Sequence, residues 1–308
     1  MQNPFSLSFG KEPISFIERG KQGREIIDGF SGENPAYQVC MITGVRGSGK
    51  TVMLTDIAKH FRGEEEWIVV DLSPERDLLH SFAAELSNQS LERIAKKGKK
   101  VLVTIDEVTC NQTMREFASQ FQIFIRRDFP VFLLMTGLYE NIYELQNEKT
   151  LTFLYRAPKM ELRPLNIGMI AKKYREIFGL EEEESLAMAQ ETMGYPFAFQ
   201  VLGFLCWKNS AKWTDVLDEY SQYLEEYVYE KLWSELSAQD KVVLRAMSES
   251  ESRKVEAIRK KAGKTSGNFS VYRNRLIKKG IIISTEYGYL EFALPRFREF
   301  VKHFSAEY

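Results

Sequence analysis

Cysteine is scarce in this chain of 308 residues, and Cys40, Cys110 and Cys206 lie far apart with no C-x-x-C pair and no neighbouring histidine. That pattern argues against a disulfide framework or a zinc site and suits a reducing compartment. No apolar run approaches the roughly 18 residues of a membrane-spanning helix. The start, Met-Gln-Asn-Pro-Phe-Ser, has no basic segment followed by an apolar core, so no secretory signal is read there. A soluble, cytoplasmic protein without membrane partners is expected. An excess of either charge is also lacking: 42 Lys and Arg stand against 43 Asp and Glu, a net of −1, so the whole-chain balance does not select a partner. No internal repeat or low-complexity tract interrupts the pattern, and the length allows two or three domains.

What is there begins with Gly44-Val45-Arg46-Gly47-Ser48-Gly49-Lys50-Thr51, a complete G-x-x-x-x-G-K-[ST] phosphate loop. Its glycines let the backbone pass close to an anion, so that successive N–H groups through Val52 converge on the phosphates of ATP or ADP. Lys50 reaches the β- and γ-phosphates, and the Thr51 hydroxyl holds Mg²⁺. The β-branched and apolar run at 37–43 predicts a buried parallel strand before the loop. Helical spacing of Val52, Leu54, Ile57 and Ala58 predicts a helix over 50–61 after it.

Further strands are predicted at 67–72, 101–107, 131–136 and 159–162, alternating with helices. One of these helices is capped by Ser73 or Pro74, and another runs over 111–127. The expected fold is therefore α/β, a P-loop parallel sheet over residues 1–163. From Pro164 strands give way to helices, which predicts a small helical lid over 164–234. Residues 213–234 read as a single amphipathic helix. Over 235–308 three helices, a hairpin about Glu286-Tyr287-Gly288 and a last helix predict a winged helix-turn-helix.

Asp106 follows an apolar strand, where a carboxylate completes the Mg²⁺ site, and the adjacent Glu107 is placed to polarise the attacking water. Thr136 ends the next strand, either touching the γ-phosphate or water or simply satisfying a strand end. Arg156 precedes the fifth strand, as a finger for a neighbouring subunit or as a plain surface arginine. In the C-terminal region, ten basic residues against Glu256 alone give residues 253–280 a local net of +9. With Phe269, Tyr272 and Leu276 inward, Arg273, Arg275, Lys278 and Lys279 are expected to project, with Lys264 nearby, toward duplex DNA. A basic face on a protein-interaction module is the other reading.

The run from the phosphate loop through Ile105-Asp106-Glu107 and Leu134-Met135-Thr136-Gly137 to Gly194-Tyr195-Pro196-Phe197-Ala198 resembles the AAA+/STAND class of P-loop ATPases. The likeness is nearest to archaeal-type ATPases and initiator-like proteins with a C-terminal winged helix. It implies Lys50 and Thr51 on phosphate and Mg²⁺, Asp106 as second metal-side carboxylate, and Glu107 as catalytic base. It further implies Thr136 as first sensor, Arg156 as finger, Gly194 and Pro196 closing over the nucleotide, and Phe16, Ile17 and Arg19 near adenine. Two departures stand out. Phe197-Ala198-Phe199-Gln200 supplies no second-sensor arginine, and the stretch from Pro74 to Lys100 is shorter than the resemblance implies. The function implied is a nucleotide-controlled ATPase switch that engages DNA, or self-associates or binds a protein. The alternative is a STAND-type signalling regulator whose winged helix is an interaction or autoinhibitory module.

Overall fold

A computed structural model describes residues 2–8, 13–87 and 89–304. Two compact units emerge. One comprises Glu18–Gly44 and Gly49–Arg163; the other comprises Pro164 onward, the residues up to Ile17, and Val45–Ser48.

The first unit is the expected α/β sheet. Strands β1 (Val39–Thr43), β2 (Trp67–Leu72), β3 (Lys100–Ile105), β4 (Val131–Gly137) and β5 (Lys159–Glu161) pair in the order β2-β3-β4-β1-β5. Every pairing is parallel. β1 and β4 are buried along their whole length, as continuous apolar runs covered on both faces require. Helices α1 (Gly20–Phe30) and α2 (Lys50–Arg62) supply Ile26, Phe30, Leu54, Ile57 and Phe61 to one face. There the Trp67 ring packs, tilted, 4.3 Å from Phe61 and 4.8 Å from Phe132. The opposite face is covered by α3 (Leu78–Glu85), α4 (Leu91–Lys96), α5 (Gln112–Arg126), α6 (Tyr139–Gln146) and α7 (Thr152–Tyr155).

The cap of α3 differs from the expectation at Ser73 or Pro74. Those residues form a turn, and the extended Asp77 accepts the His80 N–H instead. The short Pro74–Lys100 stretch holds two small helices, the second capped by Ser90, while Asn88 lies outside the described residues.

The second unit opens with α8 (Ile167–Phe178), α9 (Glu182–Gln190) and α10 (Pro196–Asn209). Glu182, Glu183 and Glu184 fill the first turn of α9, where carboxylates favour the positive end of the helix. Residues 213–234 are not one helix. A 3-10 turn leads into α11 (Leu217–Leu224), a π-helical turn at Glu225–Tyr229, and α12 (Glu230–Ser234). The wider turn keeps Val228, Tyr229, Leu232 and Trp233 all on the core side.

The winged-helix arrangement follows as α13 (Ala238–Glu249), α14 (Val255–Lys261), α15 (Ser266–Lys278), β6 (Ile282–Ile283), β7 (Glu291–Phe292) and α16 (Phe297–Phe304). β6 and β7 pair antiparallel, and Tyr287 stands fully exposed at the tip of the wing. Trp233 meets Phe300 and Phe304 of α16 edge-on.

The N-terminal segment packs into this unit. Phe5 lies 5.5 Å from the ring of Phe199, and a Cβ at Gly203 would sit 2.3 Å from the Phe5 ring. The buried Gln200 amide accepts from Ser6 N–H and donates to the Ser15 carbonyl. Among the described residues no helix is long and apolar enough to cross a membrane.

Candidate functional site

Parallel strands bring their carboxyl ends to one edge, and the site residues of the first unit gather there. β1 ends at Thr43, pairs with Gly137 of β4, and leads into Gly44. Gly49 then takes the left-handed conformation at φ 86° as the N-cap of α2. No acidic residue occupies the first turn of that helix, which leaves its positive end open to an anion. Lys50 is buried and its Nζ donates to the Gly44 carbonyl at 3.0 Å, closing the two ends of the loop on each other.

Asp106 leaves the end of β3 and receives two hydroxyls. Thr51 Oγ1 donates to Oδ2 at 2.7 Å, and Thr136 Oγ1, wholly buried, donates to Oδ1. The backbone N–H of Glu107 donates to Asp106 Oδ1 and to Thr136 Oγ1, at 3.1 and 3.2 Å. Glu107 is exposed with φ 53°, a left-handed conformation uncommon for a side chain of its size. The neighbouring Val108 N–H, bonded to the Thr136 carbonyl at 2.8 Å, holds that turn. Thr51, Asp106 and Thr136 are thus one hydrogen-bonded cluster with Glu107 at its rim.

The donor set suits Mg²⁺. This ion takes one or two protein oxygens and completes its shell with phosphate and water, and here one hydroxyl and one carboxylate stand 2.7 Å apart. Among the described residues no group of three or more His, Cys, Asp or Glu forms an all-protein metal cage. Arg156 lies outside the cluster, exposed immediately after α7. Arg19 reaches the Arg163 carbonyl, and burial lowers its guanidinium to about 10.

The middle of the loop belongs to the second unit. Gly47 has φ 77°, and a Cβ there would fall 2.1 Å from the Tyr195 hydroxyl oxygen. That hydroxyl donates to the Arg46 carbonyl at 2.5 Å. Arg46 also pairs with Glu235 at 3.1 Å, and Val45 lies against Gly280. Tyr195 sits between Gly194, at φ 73°, and Pro196, the first residue of α10. A Cβ at Gly194 would meet the Leu165 carbonyl at 2.5 Å, so glycine is required there as well. Sequence reading singled out Gly194 and Pro196 and passed over Tyr195; the signal was an aromatic residue with a polar tip between two turn-forming residues.

The cations of the winged helix divide into two sets. Arg275 does not project: its Nε and Nη2 bond Asp240 Oδ1 at 3.0 and 2.6 Å, and Nη2 bonds Ser237 Oγ at 2.8 Å. Asp240 is 1% exposed, and a buried carboxylate requires such a partner. Lys279 likewise turns inward, 4.0 Å from Asp240. Lys264 bonds Gln239 and lies over the Tyr272 ring. Arg273 faces the other way, into a cleft of about 390 Å³ lined also by Lys254, Arg259, Ser266, Ser270 and Tyr287, with Glu256 the acid among them. Lys278 is exposed.

Comparison with known proteins agrees with this fold. Residues 36–170 match the AAA domain family and residues 226–301 match a domain of unknown function (DUF8462). No curated protein matches the chain. The fold is similar to the Walker-type ATPase PABY2304 of Pyrococcus abyssi, with TM-score 0.67 and 15% identity over 93% of this chain and 96% of that one. It is also similar to the ORC2 protein of Aeropyrum pernix, solved as ADPNP-ADP complexes, with TM-score 0.56 and 13% identity over 94% and 93% of the two chains. For Cdc6p of Pyrobaculum aerophilum the TM-score is 0.51, with 15% identity over 98% and 97%. Residues 36–170 are thus an AAA-type P-loop domain, a type that binds nucleotide.

Proposed function

We propose, from an AAA-type P-loop domain at residues 36–170, that the chain is a Mg²⁺-dependent ATPase working as a nucleotide-controlled switch, with a winged helix that binds duplex DNA. The observation that carries the ATPase reading is the Thr51–Asp106–Thr136 cluster at the strand ends beside the phosphate loop. Backbone N–H groups of Val45 through Val52 and the Lys50 ammonium bind the phosphates of ATP or ADP, and Pro196 closes on the nucleotide. Thr51 and Asp106 hold Mg²⁺, which supplies charge neutralisation when bound. Glu107 takes the proton of the attacking water, Thr136 holds Asp106 and the Glu107 backbone in place, and the exposed Arg156 acts on a neighbouring subunit. With the finger supplied from outside, turnover by the isolated chain is slow. The switch works in the cytoplasm, in three modules at 1–163, 164–234 and 235–308.

For DNA, the cleft favours Arg273, joined by Lys254 and Arg259, as the phosphate-contacting set, with the exposed Lys278 a further cation of the same helix. Arg275 and Lys279 serve instead to hold α15 onto α13 through Asp240, and Lys264 steadies the turn between α14 and α15. A second reading, a STAND-type regulator with an autoinhibitory winged helix or one that binds a protein, is favoured by one observation. Val45 and Arg46 of the phosphate loop touch Gly280 and Glu235, within the unit that carries the winged helix.

ATP turnover and particle mass, measured with and without duplex DNA, separate the two. Stimulation and assembly on DNA support the first, and a monomer indifferent to DNA supports the second. In either case Lys50→Ala should weaken nucleotide binding by about ten- to a hundredfold, the loss of one charged hydrogen-bonding group. Glu107→Gln should bind nucleotide normally and turn over about a hundredfold or more slower. Parent-like turnover by Glu107→Gln would remove it as the base.

A further inference from the structure

We infer that Tyr195 is a positioning residue that presets the phosphate loop for nucleotide, from a region whose sequence offers no arginine for that task. The inference rests on the nucleotide-binding reading above and adds to it a residue with a defined role. Within one peptide unit the carbonyl and the following N–H point in opposite directions. Tyr195 donates to the Arg46 carbonyl at 2.5 Å, so the Gly47 N–H is aimed away from the tyrosine. An N–H so aimed is one of those that must converge on phosphate. Were this peptide free to rotate, the same N–H would face phosphate for only part of the time.

Tyr195 is itself rigidly held. Its N–H bonds the Thr192 carbonyl at 2.8 Å, and Leu165 N–H bonds the Gly194 carbonyl at 2.7 Å, which fixes the turn before it. Pro196 follows as the first residue of α10, with φ locked by its ring. The Tyr195 side chain is buried, and burial pushes its phenol up, so it stays a protonated donor across the working pH range. Gly47 is shaped to this contact: φ 77° and the 2.1 Å approach of the hydroxyl each exclude a side chain. On the other side of the same loop residue, Glu235 anchors the Arg46 guanidinium. Four residues after Tyr195, Pro196 excepted, read Phe-Ala-Phe-Gln, so no cation of the first turns of α10 can take up this role.

The test is Tyr195→Phe, which keeps the ring and deletes the hydroxyl, with Tyr174→Phe as the matched control. Tyr174 is equally buried in the same unit and donates to the Phe199 carbonyl at 2.8 Å, away from the loop. Binding of a fluorescent ADP should weaken about fivefold in Tyr195→Phe, the value of one neutral hydrogen bond, and stay unchanged in Tyr174→Phe. For ATP turnover, KM should rise by a similar factor with kcat unchanged. The dissociation rate, followed by chase with unlabelled ADP, reads only folded chain and should also rise about fivefold, which keeps the test valid if the variant is partly unfolded. Equal dissociation rates in parent and Tyr195→Phe would overturn the inference, as would slower release from the variant, which would make the contact a restraint against binding. A parent chain that takes up no nucleotide would instead remove the site reading itself, and binding by the parent but not by Lys50→Ala keeps the two outcomes distinct.

Discussion

Cys40 lies on β1, four residues before the phosphate loop, and Cys206 lies in α10; burial raises both thiols to about 12. A thiol held protonated by the native state binds its proton more tightly there than in the unfolded chain. Its contribution is therefore complete below the ordinary value of 9 and is lost as pH rises from 9 toward 12. Stability measured by urea titration should fall over that window, and Cys40→Ala should flatten the fall. Iodoacetamide at pH 8 should label the half-exposed Cys110 first and reach Cys40 and Cys206 only on unfolding. The placement of Lys50, Thr51 and Asp106 at the loop and the strand end was legible in the sequence because their spacing and strand context follow from backbone geometry. The bond from Thr136 to Asp106 was not, since it depends on which strands become neighbours, and β4 lies between β3 and β1.

At the scale of the element, α15 shows how a periodic pattern can misdirect. Apolar positions at Phe269, Tyr272 and Leu276 predict that Arg275 faces outward, yet it crosses to Asp240 of α13. Helical spacing registers apolar burial but is blind to a buried carboxylate on a different helix, and only the folded pairing shows that Asp240 needs a cation. Removing one partner of a buried pair strands the other, at a cost of about 3–5 kcal/mol for a fully buried pair. Arg275 is partly exposed, so Arg275→Ala should cost about 2 kcal/mol, checked by denaturant unfolding of the full chain. The five strands were legible almost to the residue because each is a short apolar run between turn signals. The break of residues 213–234 into α11, a π turn and α12 was not, since an amphipathic pattern is satisfied by one helix as well as by two offset by a wider turn.

For the whole molecule, a net charge of −1 conceals the +9 carried by residues 253–280. Ion pairs with acids outside that stretch offset part of it, Lys261 with Glu249, Arg253 with Glu291 and Arg275 with Asp240. If the winged helix binds DNA as proposed, association should therefore depend on a few cations, with a salt slope set by their small number. Arg273→Ala should reduce the slope of log K against log salt by about 1 and leave unfolding free energy unchanged within about 0.5 kcal/mol. A slope equal to the parent's would take Arg273 out of the DNA face. The tryptophans are as unevenly shared as the charges: Trp67 lies in the α/β unit, whereas Trp207, Trp213 and Trp233 all lie in the unit that carries the winged helix. Trp67, packed between Phe61 and Phe132 behind the sheet, is thus the single indole that reports on the α/β unit. Replacing it with phenylalanine turns the remaining emission into a private signal of the other unit, so the loss of each can be timed separately in one intact chain.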